Sequence, residues 1–262
     1  MASRSYNGLS VQANQRFSGG FQLIAAYTWS HLIDDLSTPL LAGTPSWVTL
    51  DALGPKESSI YDHRQRGTLT GLWDLGALGR NGWVRDIVTN MTVSGTYIYE
   101  TPSPVTIISG LDTGLTGFEN SAVLVNPAGI PGTGSGVTPL TNSSSQTVAY
   151  LANNPNARYI AGAPGVYTGA GREFFFGWPI NDFDASLSKR FAIRERFQIE
   201  FRCDAFNILN HPQYTPGELN NIGLPVATSL NYMIPGTAQF DNAAQAFASQ
   251  ARVLQLSAKV VF

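Results

Sequence analysis

Apolar residues recur at every second position in seven stretches of the chain, each bounded by turn residues or by a long polar interval. Alternation with a period of two puts successive side chains on opposite faces of an extended strand, so each stretch predicts a strand with one apolar and one polar face. The first runs from Tyr6 to Phe17, with Leu9, Val11, Ala13 and Phe17 opposite Ser10, Gln12, Asn14 and Arg16. Ser18-Gly19-Gly20 turns it into the second, Phe21 to about Leu32, where Phe21, Leu23, Ala25, Tyr27 and Trp29 share a face. Arg66 to Leu75 and Asn90 to Tyr99 follow, joined across Gly76 to Gly82. Asp182 to Phe191 and Arg196 to Phe206 form a second close pair. The chain ends on the seventh, with Leu254, Leu256, Ala258, Val260 and Phe262 on one side and Gln255, Ser257 and Lys259 on the other.

Each strand is about ten residues long, the length that crosses a hydrocarbon layer at the tilt of a barrel. The polar faces carry Arg16, Asp184, Arg190, Glu200, Arg202, Asp204 and Lys259, a mixture that suits a wet lumen. A soluble sandwich also alternates, with its polar face outside and its apolar face in the core. Loop lengths separate the two. If Phe262 lies at the periplasmic side, the short connections 18–20, 76–82 and 192–195 all fall there, and the long intervals 33–65, 100–181 and 207–250 all fall outside the cell. Phe17, Phe21, Trp73, Trp83, Phe191, Phe197 and Phe262 then gather at one membrane interface, and Tyr27, Trp29, Tyr97 and Tyr99 at the other. Gln15 and Lys189 interrupt the apolar face near the periplasmic rim, where a long side chain can snorkel. The expected fold is all-β: an antiparallel transmembrane β-barrel segment of about seven strands, with short periplasmic turns and long extracellular loops.

Composition narrows the function classes. Charged residues make up 13% of the chain, about half the usual share, and the net charge of −2 offers nothing to nucleic acid. No apolar run reaches the roughly 18 residues of a membrane-crossing helix. The amino terminus lacks the apolar centre of a secretory signal, so export rests on sequence outside this chain. Cys203 is the one cysteine, which rules out an intrachain disulfide and a multi-cysteine zinc site.

No catalytic constellation emerges. Leu111-Asp-Thr-Gly-Leu115 holds a single copy of a triplet that aspartic proteases need twice, so it reads as a turn. Gly129 to Gly136 has the glycines of a phosphate loop without its Lys-Ser or Lys-Thr, and reads as a flexible loop. His31, His63 and His211 are dispersed and read as polar loop contacts. Asp34, Asp35 and Asp62 would meet at the extracellular rim, as hydrated carboxylates or around a loosely held divalent cation. Cys203 faces lipid as a small apolar residue. Asp184, Arg190, Glu200, Arg202 and Asp204 fall on adjacent strands and are expected to pair across the wall. We expect no enzyme activity, cofactor or metal.

Several segments resemble one family. Tyr6-Asn-Gly-Leu-Ser-Val-Gln-Ala-Asn-Gln-Arg-Phe17, Phe21 to Trp29 with Ser30-His-Leu-Ile-Asp-Asp35, Asp62-His-Arg-Gln-Arg66 and Asn181 to Phe191 are similar to the late barrel region of Oar-like TonB-dependent receptors. The most specific match is Phe206-Asn-Ile-Leu-Asn-His-Pro-Gln-Tyr214. The resemblance implies an energised receptor of the Gram-negative outer membrane, with a 22-stranded barrel, a plug and a box that contacts TonB. Against that pattern, residues 1–262 would be a carboxyl-terminal part of the barrel, without signal peptide, regulatory domain, plug or TonB box. An odd strand number also cannot close a bacterial single-chain barrel. The expected partners are outer-membrane lipid, the barrel-assembly machinery, the plug and TonB of a complete receptor, and a substrate of unknown identity. The alternative is a soluble or surface β-sandwich that binds or adheres through Trp47, Tyr159, Tyr167 and Trp178.

The terminal strand, ending on Phe262, resembles the signal read by the barrel-assembly machinery. Phe262→Asp in a full-length context is expected to reduce outer-membrane insertion, measured as the assembled fraction in membrane extracts. Equal insertion of both forms would remove that role.

Overall fold

The computed structural model describes residues 3–17, 19–34, 56–59, 61–78, 82–102, 104–105, 107–110, 123–166, 175–194, 197–215, 232–246 and 248–261. Seven long strands form its wall: β1 (Arg4–Arg16), β2 (Phe21–Asp34), β3 (Gln65–Asp74), β4 (Met91–Glu100), β5 (Ile180–Arg194), β6 (Phe197–Phe206) and β7 (Val253–Val261). Shorter strands are given below by residue range. The seven lie side by side in chain order, and every neighbouring pair is antiparallel. Each corresponds to one alternating stretch of the sequence. Phe262 lies outside the described residues.

The register shows why alternation is maintained from strand to strand. Residues directly opposite each other share a face. One row across the wall reads Phe21, Trp73, Val93, Leu187, Cys203, Leu256, and all six are apolar. The next row reads Asp74, Thr92, Ser188, Arg202, Ser257, and all five are polar. A slip of one residue in any strand would exchange the faces, so the pattern pins the register.

The apolar face is uncovered. Val11 is 57% exposed, Phe201 50% and Leu256 80%, and no second sheet packs over them among the described residues. A sandwich would bury this face against another sheet about 10 Å away. The uncovered face therefore suits a hydrocarbon environment. It is banded by aromatic contacts at the short-turn end: Phe17 on Phe21 at 5.5 Å, Phe21 on Trp73 at 6.2 Å and Phe191 on Phe201 at 5.9 Å.

The connections differ from expectation in two places. The described residues between β3 and β4 hold more than a plain turn: a 3₁₀ turn covers Leu75–Leu78 and an α-helix, α1, covers Gly82–Val88. Seven residues give less than two turns of period, too short for apolar spacing to reveal a helix. The stretch 129–136 is likewise no flexible loop. Ile130–Ser135 is a strand that pairs in parallel with Ala157–Ala161, which also pairs with Val123–Val125. A side chain on Gly134 would put its Cβ 2.6 Å from the Phe240 ring, so close packing accounts for that glycine.

The long-loop end holds the buried core. Ile107, Val123, Tyr232, Phe240, Ala243 and Ala246 cluster there, and the Tyr159 ring meets Phe240 at 5.8 Å. This cap draws on two of the three long intervals, 100–181 and 207–250. The only buried apolar side chain on the wall strands, among the described residues, is Ala205. Burial in water therefore holds the cap, and backbone pairing holds the wall.

Leu187→Arg places a charge at the middle of the apolar face and is expected to cost about 2–4 kcal/mol of membrane-folded stability. Ser94→Arg, on the polar face, is expected to leave stability nearly unchanged. Urea titration of the assembled protein, read by heat-dependent gel mobility, checks both.

Candidate functional site

The charges read from the sequence as lumen-facing, Arg16 apart, lie on β5, β6 and β7. Arg190 on β5 meets Glu200 on β6 at 2.9 Å, and Lys259 on β7 stands opposite the same Glu200. Arg202 pairs with Asp204 at 2.8 Å along β6, two residues away on the same face, not across the wall. Asp184 accepts a hydrogen bond from the Asn207 backbone N–H at 2.9 Å. Asp182 Oδ1 is buried and has no hydrogen-bond partner among the described residues. The expected cross-wall pairing therefore holds for Arg190 and Glu200, while Asp184 is used to hold a turn.

At the long-loop rim, a buried polar knot replaces the expected hydrated carboxylates. Asp62 is fully buried; its Oδ1 accepts from the Leu32 backbone N–H at 2.7 Å and its Oδ2 from Arg64 Nε at 2.5 Å. Arg64 also reaches His31 Nε2 at 2.8 Å and Ser58 Oγ at 3.1 Å. Asp34 is 1% exposed and pairs with Arg4 at 3.3 Å. A buried carboxylate needs such partners, and their donors leave little room for a cation. No group of three potential metal ligands occurs among the described residues, and Asp35 lies outside them. His63 Nδ1 lies 3.0 Å from both Glu100 Oε1 and the Thr101 carbonyl, and Arg66 holds the other Glu100 oxygen at 3.1 Å. His31 and His63 thus make polar contacts, as expected of them.

A second lock lies where β6 ends. Asn207 sits in the left-handed region at φ 47°, a conformation asparagine tolerates. Its side-chain nitrogen donates to the His211 and Gln250 carbonyls, both at 2.7 Å, and its oxygen accepts from the His211 N–H at 3.0 Å. Gln213, 2% exposed, accepts from the Asn181 N–H at 2.9 Å and donates to the Asn181 carbonyl. The Asn-Ile-Leu-Asn-His-Pro-Gln run thus clamps the end of β6 to the start of β5 and to the approach to β7. Its sequence did not disclose these roles, because each depends on partners more than 30 residues away.

Other candidates are structural or lie outside the described residues. Cys203 stands between Leu187 and Leu256 on the apolar face. Tyr159 packs on Phe240, whereas Trp178 meets Tyr214 edge-on at 5.9 Å and stays 51% exposed. Trp47, Tyr167 and the Leu111-Asp-Thr-Gly-Leu115 triplet fall outside the described residues. Leu254, Leu256, Ala258 and Val260 share the apolar face of β7 through their partners on β6. In the cap, burial pushes the Asp241 carboxyl above its ordinary value, and burial followed by that carboxylate pushes up the Tyr232 phenol. An apolar groove of about 270 Å³ lies between Phe21, Leu69, Trp73, Tyr97 and Phe183. It opens on the apolar face, away from the charges.

A family model described as an outer membrane beta barrel domain matches residues 1–255. No curated protein and no solved structure matches the chain.

Asn207→Ala removes three side-chain hydrogen bonds from a buried site and is expected to cost about 2–4 kcal/mol locally. Limited proteolysis should show faster cleavage within 207–215, with the wall strands still protected.

Proposed function

The chain belongs to the outer-membrane β-barrel family, and from that premise we propose that it is a wall segment of a TonB-dependent receptor of the Oar-like kind in a Gram-negative outer membrane. The observation that supports the wall-segment part of this reading is the open sheet, while its TonB-dependent, Oar-like part rests on the resemblance of the segments around 6–35, 62–66, 181–191 and 206–214. β1 pairs only with β2, and β7 only with β6, among the described residues. An edge exposed to hydrocarbon leaves peptide groups unpaired at several kcal/mol each, so further strands must complete the wall.

The remaining features support a receptor role over an enzymatic one. The apolar face meets outer-membrane lipid. The polar face lines the lumen, where Asp184, Arg190, Glu200, Arg202, Asp204 and Lys259 would border the plug of a complete receptor. The cap, folded around Tyr232 and Phe240 at the long-loop end, would contribute to capture of a substrate still to be identified. Assembly uses Leu254, Leu256, Ala258, Val260 and Phe262 as the signal for the barrel-assembly machinery, and TonB acts through the plug. No catalytic step, cofactor or nucleic acid enters this reading.

The chain is expressed alone with an added export signal, and separately within a complete barrel that supplies the other strands. Alone, it is expected to yield no heat-modifiable, protease-resistant monomer; within the complete barrel it should yield one. A resistant monomer from the chain alone would overturn the wall-segment reading. Formaldehyde cross-linking of the complete receptor to TonB tests the energised role.

A further inference from the structure

Lys189 lies on the apolar face of β5, opposite Met91 and Phe201. Its ammonium does not simply reach toward water, as its rim position led us to expect. It donates to the Asp86 carbonyl at 3.1 Å and to the Ile87 carbonyl, the last turn of helix α1. Those carbonyls lack partners within the helix, and a cation there also complements the negative end of the helix dipole. A side chain on the apolar face cannot reach the lumenal side of the sheet. Lys189 therefore pins α1 on the outer side of the wall, at the short-turn rim.

The helix suits that place. Trp83 and Ile87, four residues apart on one face, are 75% and 51% exposed. Arg85 lies on the opposite side of the helix and Asp86 flanks Trp83, and both are exposed. A tryptophan and an aliphatic residue on one side, with an arginine on the other, fit a helix lying in the plane of a membrane interface. The ammonium that holds the helix lies 5.1 Å from the centre of the Phe191 ring, which belongs to the aromatic band of the wall.

We propose that helix Gly82–Val88 is an interfacial anchor, held by Lys189 against the wall and seated through Trp83 and Ile87 in the phospholipid headgroup region of the periplasmic leaflet. The inference rests on membrane insertion of the wall and is independent of the TonB reading. The anchor fixes the depth of the β3–β4 connection, where a bare turn would leave it free to move with the rim.

The test uses nitroxide labels on the chain within its assembled barrel in outer-membrane vesicles, in a Cys203→Ala background. Labels at Ile87→Cys and Arg85→Cys report on the helix, and those at Val93→Cys and Ser94→Cys on the two faces of the wall. Collision with oxygen, which partitions into lipid, is compared with collision with a water-soluble nickel chelate. The Ile87 label is expected to show a severalfold higher oxygen-to-nickel ratio than the Arg85 label and to approach the Val93 label. Adding Trp83→Ala or Lys189→Ala should lower the Ile87 ratio while the Val93 ratio holds. Equal ratios at Ile87 and Arg85, with Val93 still lipid-like, would place the helix in the periplasm and overturn the anchor. Shielding of Ile87 from both reagents would mean a protein partner and overturn it equally. A Val93 label without the lipid signature would overturn the membrane wall, and this inference with it.

Discussion

Every peptide group that lies in hydrocarbon must find its hydrogen-bond partner within the protein, and the wall is arranged around that requirement. Antiparallel pairing in chain order meets it over the shared middle of the interior strands, each of which lies between two neighbours. Register follows, because a slip would turn Arg202 toward lipid and Leu187 toward the lumen. The place of irregular chain follows too. Turns, bulges and left-handed residues such as Asn90 and Asn207 occur where the strands have left the apolar band.

Two sources of cohesion meet at the long-loop end. The wall is held by its ladders and gains little from burial in water, whereas the cap buries Ile107, Val123, Tyr232 and Phe240 as a small soluble domain would. Neither can hold the other by the means that hold itself. The junction is instead made of specific polar contacts: Asp62 and Arg64 tie 57–65 to β2, Glu100 gathers His63 and Arg66, and Asn207 with Gln213 ties the cap to β5 and β6. Such contacts hold because their groups are withdrawn from water, where an unpaired partner is costly.

The seven wall strands were legible in the sequence because a two-sided environment enforces strict alternation over about ten residues. Their pairing order and facing also followed, since neighbours in a meander are neighbours in the chain. The cap was not legible. Its strands run two to six residues, and Ile130–Ser135 finds its partner in parallel about 25 residues later, so no local period marks it. Helix α1 was missed for a similar reason, being shorter than two full periods. Asp62 looks like a hydrated carboxylate because its neighbours in sequence are polar; only the fold brings the Leu32 N–H to one oxygen and buries the pair that the other makes with Arg64. Lys189 read as a snorkelling exception because its acceptors, about 100 residues earlier, belong to the helix that alternation could not reveal.

The charges of the polar face bear on how a receptor of this build would choose its cargo. Among the described side chains of β5–β7, that face carries three cations, Arg190, Arg202 and Lys259, against four carboxylates, Asp182, Asp184, Glu200 and Asp204. Two of the cations are already committed within the wall, Arg190 to Glu200 and Arg202 to Asp204. A surface so nearly neutral and internally paired projects little field of either sign, so it offers no long-range steering to an anionic or a cationic cargo. It does offer polar side chains at fixed spacing to a folded neighbour, which is what a plug requires. Under the receptor reading, discrimination therefore belongs to the cap, where irregular chain is permitted and a core of its own holds the loops in place.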